Sequence, residues 1–184
     1  SLEEDLRRIL KEIRDNVREN IRTNEELLKR SRENVKENIE RNKKLLREIE
    51  EEVRRLEREV KDEKLLRDIR RVLEEIRRDV ERTIREIKRV LDEIAELVER
   101  SIREIKRVLD EIDRMVKEAE DRIRSEKLAK EVKDRLRDLL RKLNKISEDA
   151  LRELKRLNDE INRISEEALE RLKKLLEDLE RRVR

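Results

Sequence analysis

The sequence predicts an all-α protein, an elongated antiparallel up-down-up three-helix bundle with nearly straight helices. The first observation is composition: 57% of the 184 residues are charged, 34% are hydrophobic, and Gly and Pro are absent. The second is an apolar spacing of 3 and 4 along most of the chain, which is typical of amphipathic helices. The third is an internal repeat, since the segment Ile84–Ile94 recurs unchanged as Ile102–Ile112, at a sequence offset of 18. Because about 18 residues make five whole turns, such a helix returns to the same face without supercoiling.

The apolar spacing divides the chain into three segments of similar length. An uninterrupted single helix is the alternative, because neither junction contains a helix breaker. The apolar stripe changes its rotational phase across both junctions, which favours three helices. We therefore predict one domain, 1–184, with helices at about 2–60, 63–123 and 126–183 and turns near 61–63 and 124–126.

The two junctions have closely related sequences. Each reads apolar, basic, Asp or Ser, Glu, Lys, Leu, and the capping positions are Asp62 and Ser125, as far apart as helices of equal length require. Asp and Ser side chains accept hydrogen bonds from free backbone N–H groups at a helix start. We predict that Asp62 and Ser125 are N-caps, and that Ser1 with Glu4 forms a capping box.

Polar residues interrupt the apolar columns in the middle of every predicted helix. Residues 18 positions apart lie in one column along the same face of a helix. One such column reads Leu6, Asn24, Asn42, Val60, with the two amides between the two apolar residues. The predicted structural polar core consists of Asn20, Asn24, Ser31, Asn38, Asn42, Thr83, Ser101, Asn144, Ser147, Asn158, Asn162 and Ser165.

Folding the chain at the two turns brings these residues to matching heights. Residue i of the first helix then lies opposite roughly residue 124 − i and beside roughly 126 + i. Ser31 is predicted to meet Asn158, with Asn16 and Asn34 at the edge of the layers. The first layer contains Asn20, Asn24, Ser101, Asn144 and Ser147; the second contains Asn38, Asn42, Thr83, Asn162 and Ser165.

These side chains are suited to hydrogen bonding rather than to catalysis. Asn has both donors and acceptors, and Ser and Thr supply hydroxyls, so the layers are expected to saturate one another. There is no His or Cys to act as base or nucleophile. Amides and hydroxyls are poor transition-metal ligands. We expect structural networks that specify register, no enzyme activity, no cofactor and no metal site.

Charge and composition argue against several partners. The 54 basic and 51 acidic residues interleave, and there is no aromatic residue to stack on bases or to anchor at a membrane interface. No apolar run approaches the roughly 20 residues that cross a bilayer. We expect a soluble chain that requires no partner, binds neither nucleic acid nor membrane, and is monomeric, with self-association as the alternative.

The exact repeat in Ile84–Ile112, the Glu/Lys/Arg surface, the Asn/Ser/Thr layers and the duplicated turns resemble those of de novo designed parametric helical bundles with buried hydrogen-bond networks. The resemblance covers the whole chain, although turns without Gly and a core with few Ala residues depart from the commonest designs. It implies a stable single-chain scaffold without natural activity. The alternative is an interaction module that accepts a further helix or self-associates through its apolar edges. Spectrin-type triple helices share the outline but have aromatic core residues, which this chain lacks.

Overall fold

A computed structural model describes residues 2–122 and 126–184 and confirms the predicted fold class. Three α-helices pack against one another, and the described residues contain no strand. Helix α1 spans Leu2–Glu59, α2 spans Glu63–Arg122 and α3 spans Glu126–Val183.

The first turn lies one residue earlier than predicted. Helix α1 ends at Glu59, and Glu63 already belongs to α2, so the connection is residues 60–62 rather than 61–63. The backbone N–H of Val60 still donates to the Leu56 carbonyl at 2.9 Å, which closes the last turn of α1. The sequence alone could not place this end, because no Gly or Pro marks it.

Asp62 is the N-cap of α2, as predicted. Its Oδ1 accepts a hydrogen bond from the backbone N–H of Lys64 at 3.0 Å, and its carbonyl accepts from Leu66 at 3.0 Å. The side chain thus satisfies one of the free N–H groups that every helix start exposes. The predicted caps Ser1 and Ser125 lie outside the described residues, as does most of the second turn.

The helices form two compact units, each containing a part of all three helices. Unit 1 comprises Ser1–Lys29 with Ile94–Lys155, and unit 2 comprises Arg30–Glu93 with Arg156–Arg184. The expectation of a single domain stays a prediction.

Each unit has its own hydrophobic core. Buried aliphatic side chains from all three helices meet in both, as an apolar stripe facing two neighbours requires. The unit 1 core is formed by Ile13, Val17, Ile105, Val108, Ile112, Leu136, Leu139 and Leu143. The unit 2 core is formed by Ile49, Val53, Leu56, Ile69, Leu73, Ile76, Val80, Leu172 and Leu179.

Ion pairs within each unit show the directions of the helices. In unit 1, Arg14 of α1 pairs with Asp113 of α2 at 3.6 Å, so the two residue numbers add to 127. In unit 2, Glu57 pairs with Arg70 and Glu50 pairs with Arg77, and the residue numbers of each pair also add to 127. A constant sum means that one residue number falls as the other rises, so α1 and α2 are antiparallel. The observed sum of 127 lies three residues from the predicted sum of 124.

Candidate functional site

The polar residues inside the helices are the candidate site. The unit 1 layer is defined here as Asn16, Asn20, Asn24, Ser101, Asn144 and Ser147; the unit 2 layer is defined as Ser31, Asn34, Asn38, Asn42, Thr83, Asn158, Asn162 and Ser165. Of the twelve residues predicted for the core, Asn20 and Asn158 are half-buried. Those fully buried are Asn24, Ser31, Asn38, Asn42, Thr83, Ser101, Ser147 and Ser165.

The core placement predicted for Asn144 and Asn162 is wrong, since both side chains are exposed. Each follows directly after a fully buried residue of α3, Leu143 and Ile161 respectively. Successive helix positions differ by about 100°, so a residue next to the centre of the apolar stripe points toward solvent. Both amides nevertheless accept hydrogen bonds from α1.

The Ser31–Asn158 contact begins the unit 2 layer. The Nδ2 of Asn158 donates to the Ser31 hydroxyl at 2.9 Å, between side chains 127 positions apart in the sequence. The Oδ1 of Asn158 is 3.5 Å from the Nδ2 of Asn34, a long hydrogen bond. Asn158 therefore joins two residues of α1 that lie almost one turn apart.

Two further amides connect α1 to α3 in unit 2. The Nδ2 of Asn38 donates to Asn162 Oδ1 at 3.1 Å and also lies 3.1 Å from Asn34 Oδ1. The Nδ2 of Asn42 donates to Ser165 Oγ at 3.0 Å. Because Asn42 and Ser165 are completely buried, no bulk water competes for that hydrogen bond.

The unit 1 layer is connected differently. Asn16 donates to Asn144 Oδ1 on α3 at 2.9 Å. Asn20 donates to Asn16 Oδ1 at 3.0 Å, and Asn24 donates to the Asn20 carbonyl at 2.8 Å, so both remain bonded within α1. Asn20 thus reaches α3 through Asn16, which the sequence had placed only at the edge of the layer.

The expectation that the layers saturate one another is wrong in part. Among the residues that the structure describes, three buried side-chain atoms have no hydrogen-bond partner: Asn24 Oδ1, Asn42 Oδ1 and Ser101 Oγ. Each such atom costs about 1–3 kcal/mol of stability. On α2, the Thr83 hydroxyl donates to the Asp79 carbonyl of its own helix at 2.8 Å, a common arrangement for Ser and Thr within helices.

An ion pair that sequence reasoning missed supports the pairing of α1 with α3 in unit 1. Lys133 Nζ lies 2.9 Å from Asp5 Oδ2, and the residues are 128 positions apart, as Asn16 and Asn144 are. The hydrogen bond from Lys133 and its positive charge lower the pKa of Asp5 below its ordinary value. The sequence did contain a sign of this pair, because an acidic and a basic residue lie at the separation expected for neighbouring positions of α1 and α3. With 54 basic and 51 acidic residues, however, many such pairs occur by chance.

Most of the other ion pairs join exposed side chains that lie about one turn apart on the same helix. Arg22 with Glu19 and Arg141 with Asp138 are examples at 2.8 and 3.3 Å. The hydrogen bond from Arg22 to Glu19 raises the pKa of that guanidinium. Exposed pairs of this kind contribute little to stability.

The class of protein that the fold and the layers define is an all-α three-helix bundle with buried polar contacts. No protein-family model matches the chain, and comparison with curated proteins and with solved structures found no similar protein. Within the described ranges, no helix has an apolar stretch long enough to span a membrane. Nor do those ranges contain a group of three or more acidic, His or Cys side chains placed to hold a metal ion.

Proposed function

We propose that this protein is a structural scaffold of designed origin, without catalytic activity, in which the polar layers specify how α1 and α3 align. The observation that carries the proposal is the set of contacts that three buried residues of α1 make with α3 in unit 2. Ser31, Asn38 and Asn42 each contact a different residue of α3 at 2.9–3.1 Å.

The energetics favour alignment over stability as the role of these contacts. A hydrogen bond between buried neutral groups contributes about 0.5–1.5 kcal/mol net, whereas burying a Leu side chain contributes about 1.5–3 kcal/mol. Leu at these positions would therefore give at least as stable a core. Polar partners add a penalty for wrong pairing, because a misaligned helix would leave amides buried against aliphatic side chains.

The Ser31–Asn158 pair makes the alignment unique. The Asn16, Asn20 and Asn24 pattern recurs at the next repeat of the 18-residue register, so a shift of α1 by one whole repeat would match amides with amides. The Ser31–Asn158 pair has no such copy, since the corresponding residues on α1 are Ile13 and Ile49 and those on α3 are Leu140 and Leu176. A shifted helix would place Ser31 and Asn158 against aliphatic side chains.

Replacing Asn20, Asn24, Asn38 and Asn42 together with Leu tests the scaffold proposal. We expect the midpoint of thermal unfolding to be preserved or raised. We also expect a mixture of oligomers in place of the single 22.7 kDa species that we expect for the unmodified chain. Size-exclusion chromatography with light scattering measures the second effect. The matched control is Thr83→Val with Ser101→Ala, which removes buried polar groups of α2 that make no bond to another helix. This control should remain a single species.

A uniform monomer in the fourfold Leu variant would contradict the alignment role, and a large loss of its stability would show that the layers mainly stabilise the fold. The unmodified chain should also melt above about 65 °C, the upper end for ordinary mesophilic domains. Circular dichroism measures that midpoint. A mass of two or more chains for the unmodified protein would instead favour the self-associating module.

A further inference from the structure

A pocket beside the unit 1 layer contains a buried hydroxyl that the fold does not use. The pocket has a volume of about 180 Å³ and lies between α2 and α3. Ser101 lines it, and the Ser101 side chain is 3% exposed while its Oγ has no hydrogen-bond partner. A hydroxyl both donates and accepts, so it is able to bind a neutral polar group of either kind.

The rest of the lining determines which ligands fit. Leu97, Ile146 and Ala150 provide aliphatic walls, and the charged residues are Arg100, Glu104 and Asp149. One basic and two acidic side chains give a negative excess, which disfavours anions. An apolar cavity of about 150 Å³ is large enough for benzene, so one six-membered ring is a suitable size.

We propose that this pocket binds a small neutral alcohol with a compact apolar body, of the size of phenol, whose hydroxyl bonds to Ser101 Oγ. Because that oxygen is fully buried in the unbound structure, the Ser101 side chain turns about its Cα–Cβ bond toward the pocket when the ligand binds. The ring lies against Leu97, Ile146 and Ala150, and the hydroxyl group replaces the partner that Ser101 lacks. This site is independent of the proposed scaffold function, because Ser101 makes no contact that aligns two helices.

The structure supplies an internal comparison at the neighbouring repeat of the same helix. Thr83 occupies the position on α2 that corresponds to Ser101, but its hydroxyl is bonded to the Asp79 carbonyl. Asp79 itself stands where unit 1 has Leu97, and it pairs with Arg171 at 3.2 Å. The corresponding part of unit 2 therefore lacks the free hydroxyl and the part of the aliphatic wall that Leu97 provides, although it keeps Ile164 and Ala168.

Titration with phenol at pH 7, followed by methyl NMR, tests the site in the intact chain. The protein has no aromatic residue, so any ring-current shift of a methyl signal comes from the ligand. We expect saturable shifts at Leu97, Ile146 and Ala150, with a dissociation constant on the order of millimolar for so small a ligand. Ile164 and Ala168, the unit 2 counterparts of Ile146 and Ala150, should not shift.

Two variants test the role of the hydroxyl and of the pocket. Ser101→Ala, which keeps a good helix former, should weaken phenol binding about 3- to 10-fold, the effect of one hydrogen bond, and leave toluene binding unchanged. Ala150→Leu should fill the pocket and abolish binding of both. Equal phenol affinity in Ser101→Ala, equal shifts in both units, or no saturable shift because the pocket holds water only would each overturn the proposal.

Discussion

The two polar layers contain nearly the same residues but connect them differently. In unit 2, Asn34, Asn38 and Asn42 all donate to side chains of α3. In unit 1, Asn16 alone of the three amides donates to α3. Asn20 and Asn24 donate only to oxygen atoms of α1, whereas their counterparts Asn38 and Asn42 donate to α1 and to α3. Repeating the amides along α1 therefore repeats their hydrogen bonds within that helix, but not their hydrogen bonds to α3.

The difference has a local cause in the Ser31–Asn158 pair. Asn158 Oδ1 accepts from Asn34, which leaves Asn162 Oδ1 to accept from Asn38. In unit 1 the residue corresponding to Asn158 is Leu140, which has no acceptor, so Asn16 turns to Asn144 instead. One additional amide thus determines the partners of its neighbours, as expected for a network rather than a set of independent pairs.

Transplanting that pair into unit 1 should have the largest effect. The double variant Ile13→Ser with Leu140→Asn replaces one fully buried and one half-buried aliphatic side chain. We expect it to lower the free energy of unfolding by about 3–6 kcal/mol. The Asn16 amide should move from Asn144 to the new amide at position 140. Guanidinium denaturation and side-chain amide NMR measure the two effects.

The same substitutions one repeat further along provide the control. Ile49→Ser with Leu176→Asn introduces the same groups where α1 has Glu52 and Leu56 in place of Asn34 and Asn38. The free energy of unfolding of this control should fall by about 1 kcal/mol more than that of the unit 1 variant, because its new amide has fewer hydrogen-bond partners. Equal losses in both variants, together with unchanged Asn16 resonances, would argue against a shared network.

Replacing Asn24 or Asn42 singly with Leu should distinguish the two layers by a smaller amount. Both residues have a buried Oδ1 without a partner, so removing either amide removes a penalty of about 1–3 kcal/mol. Asn24→Leu sacrifices no bond to α3 and should be stabilising. Asn42→Leu takes the donor from the buried Ser165 hydroxyl, so its gain should be about 1 kcal/mol smaller. Denaturation midpoints in guanidinium give the comparison, and a larger gain for Asn42→Leu would contradict it.

Exchanging the residues at positions 101 and 83 should have opposite effects. Ser101→Thr should raise the free energy of unfolding by about 1 kcal/mol, and Thr83→Ser should lower it by about 1 kcal/mol. Ser101→Thr adds a methyl group beside the pocket and allows its hydroxyl to bond to the carbonyl four residues earlier, as Thr83 does. Thr83→Ser removes a buried methyl group worth about 0.8 kcal/mol. Thermal unfolding of the two single variants and of the double exchange measures these effects. Destabilisation by Ser101→Thr would mean that the pocket has no room for the methyl group.

The sequence predicted the helices, the Asp62 cap and the approach of the polar residues of α1 and α3 in unit 2, because these follow from periodicity and from equal helix lengths. Ser31 with Asn158 is the clearest case, since the predicted offset of 126 lies one residue from the observed 127. The hydrogen-bond partners could not be predicted. Asn16 and Asn144 in unit 1 are 128 positions apart, whereas Asn38 and Asn162 in unit 2 are 124 positions apart, a difference of about one helical turn. The apolar pattern is the same around both pairs, so it does not indicate which partner each amide selects. Asn144 is exposed because it lies one step of about 100° around the helix from the fully buried Leu143, a difference that the 18-residue columns do not resolve.

The smallest expected effect concerns acid pH and the pairing of α1 with α3 in unit 1. The pKa of Asp5 is lowered in the folded protein, first by its hydrogen bond from Lys133. A carboxyl group with a lowered folded-state pKa contributes stability above its unfolded pKa of about 3.9 and loses that contribution as the pH falls through the folded value.

The difference in unfolding free energy between the unmodified chain and Asp5→Asn should therefore be greatest near pH 6 and vanish at the most acidic pH. Denaturation series from pH 6 to pH 2 measure it. Lys133→Met is the control that should reduce the pH dependence of that difference without removing it, because Arg8 donates to Asp5 Oδ1 at 2.7 Å and also lowers the pKa of Asp5. The pair has the same separation of 128 positions as Asn16 and Asn144, so both contacts join α1 to α3 at the same alignment. If the difference in unfolding free energy persisted at low pH, the charge of Asp5 would not be what stabilises this contact between α1 and α3.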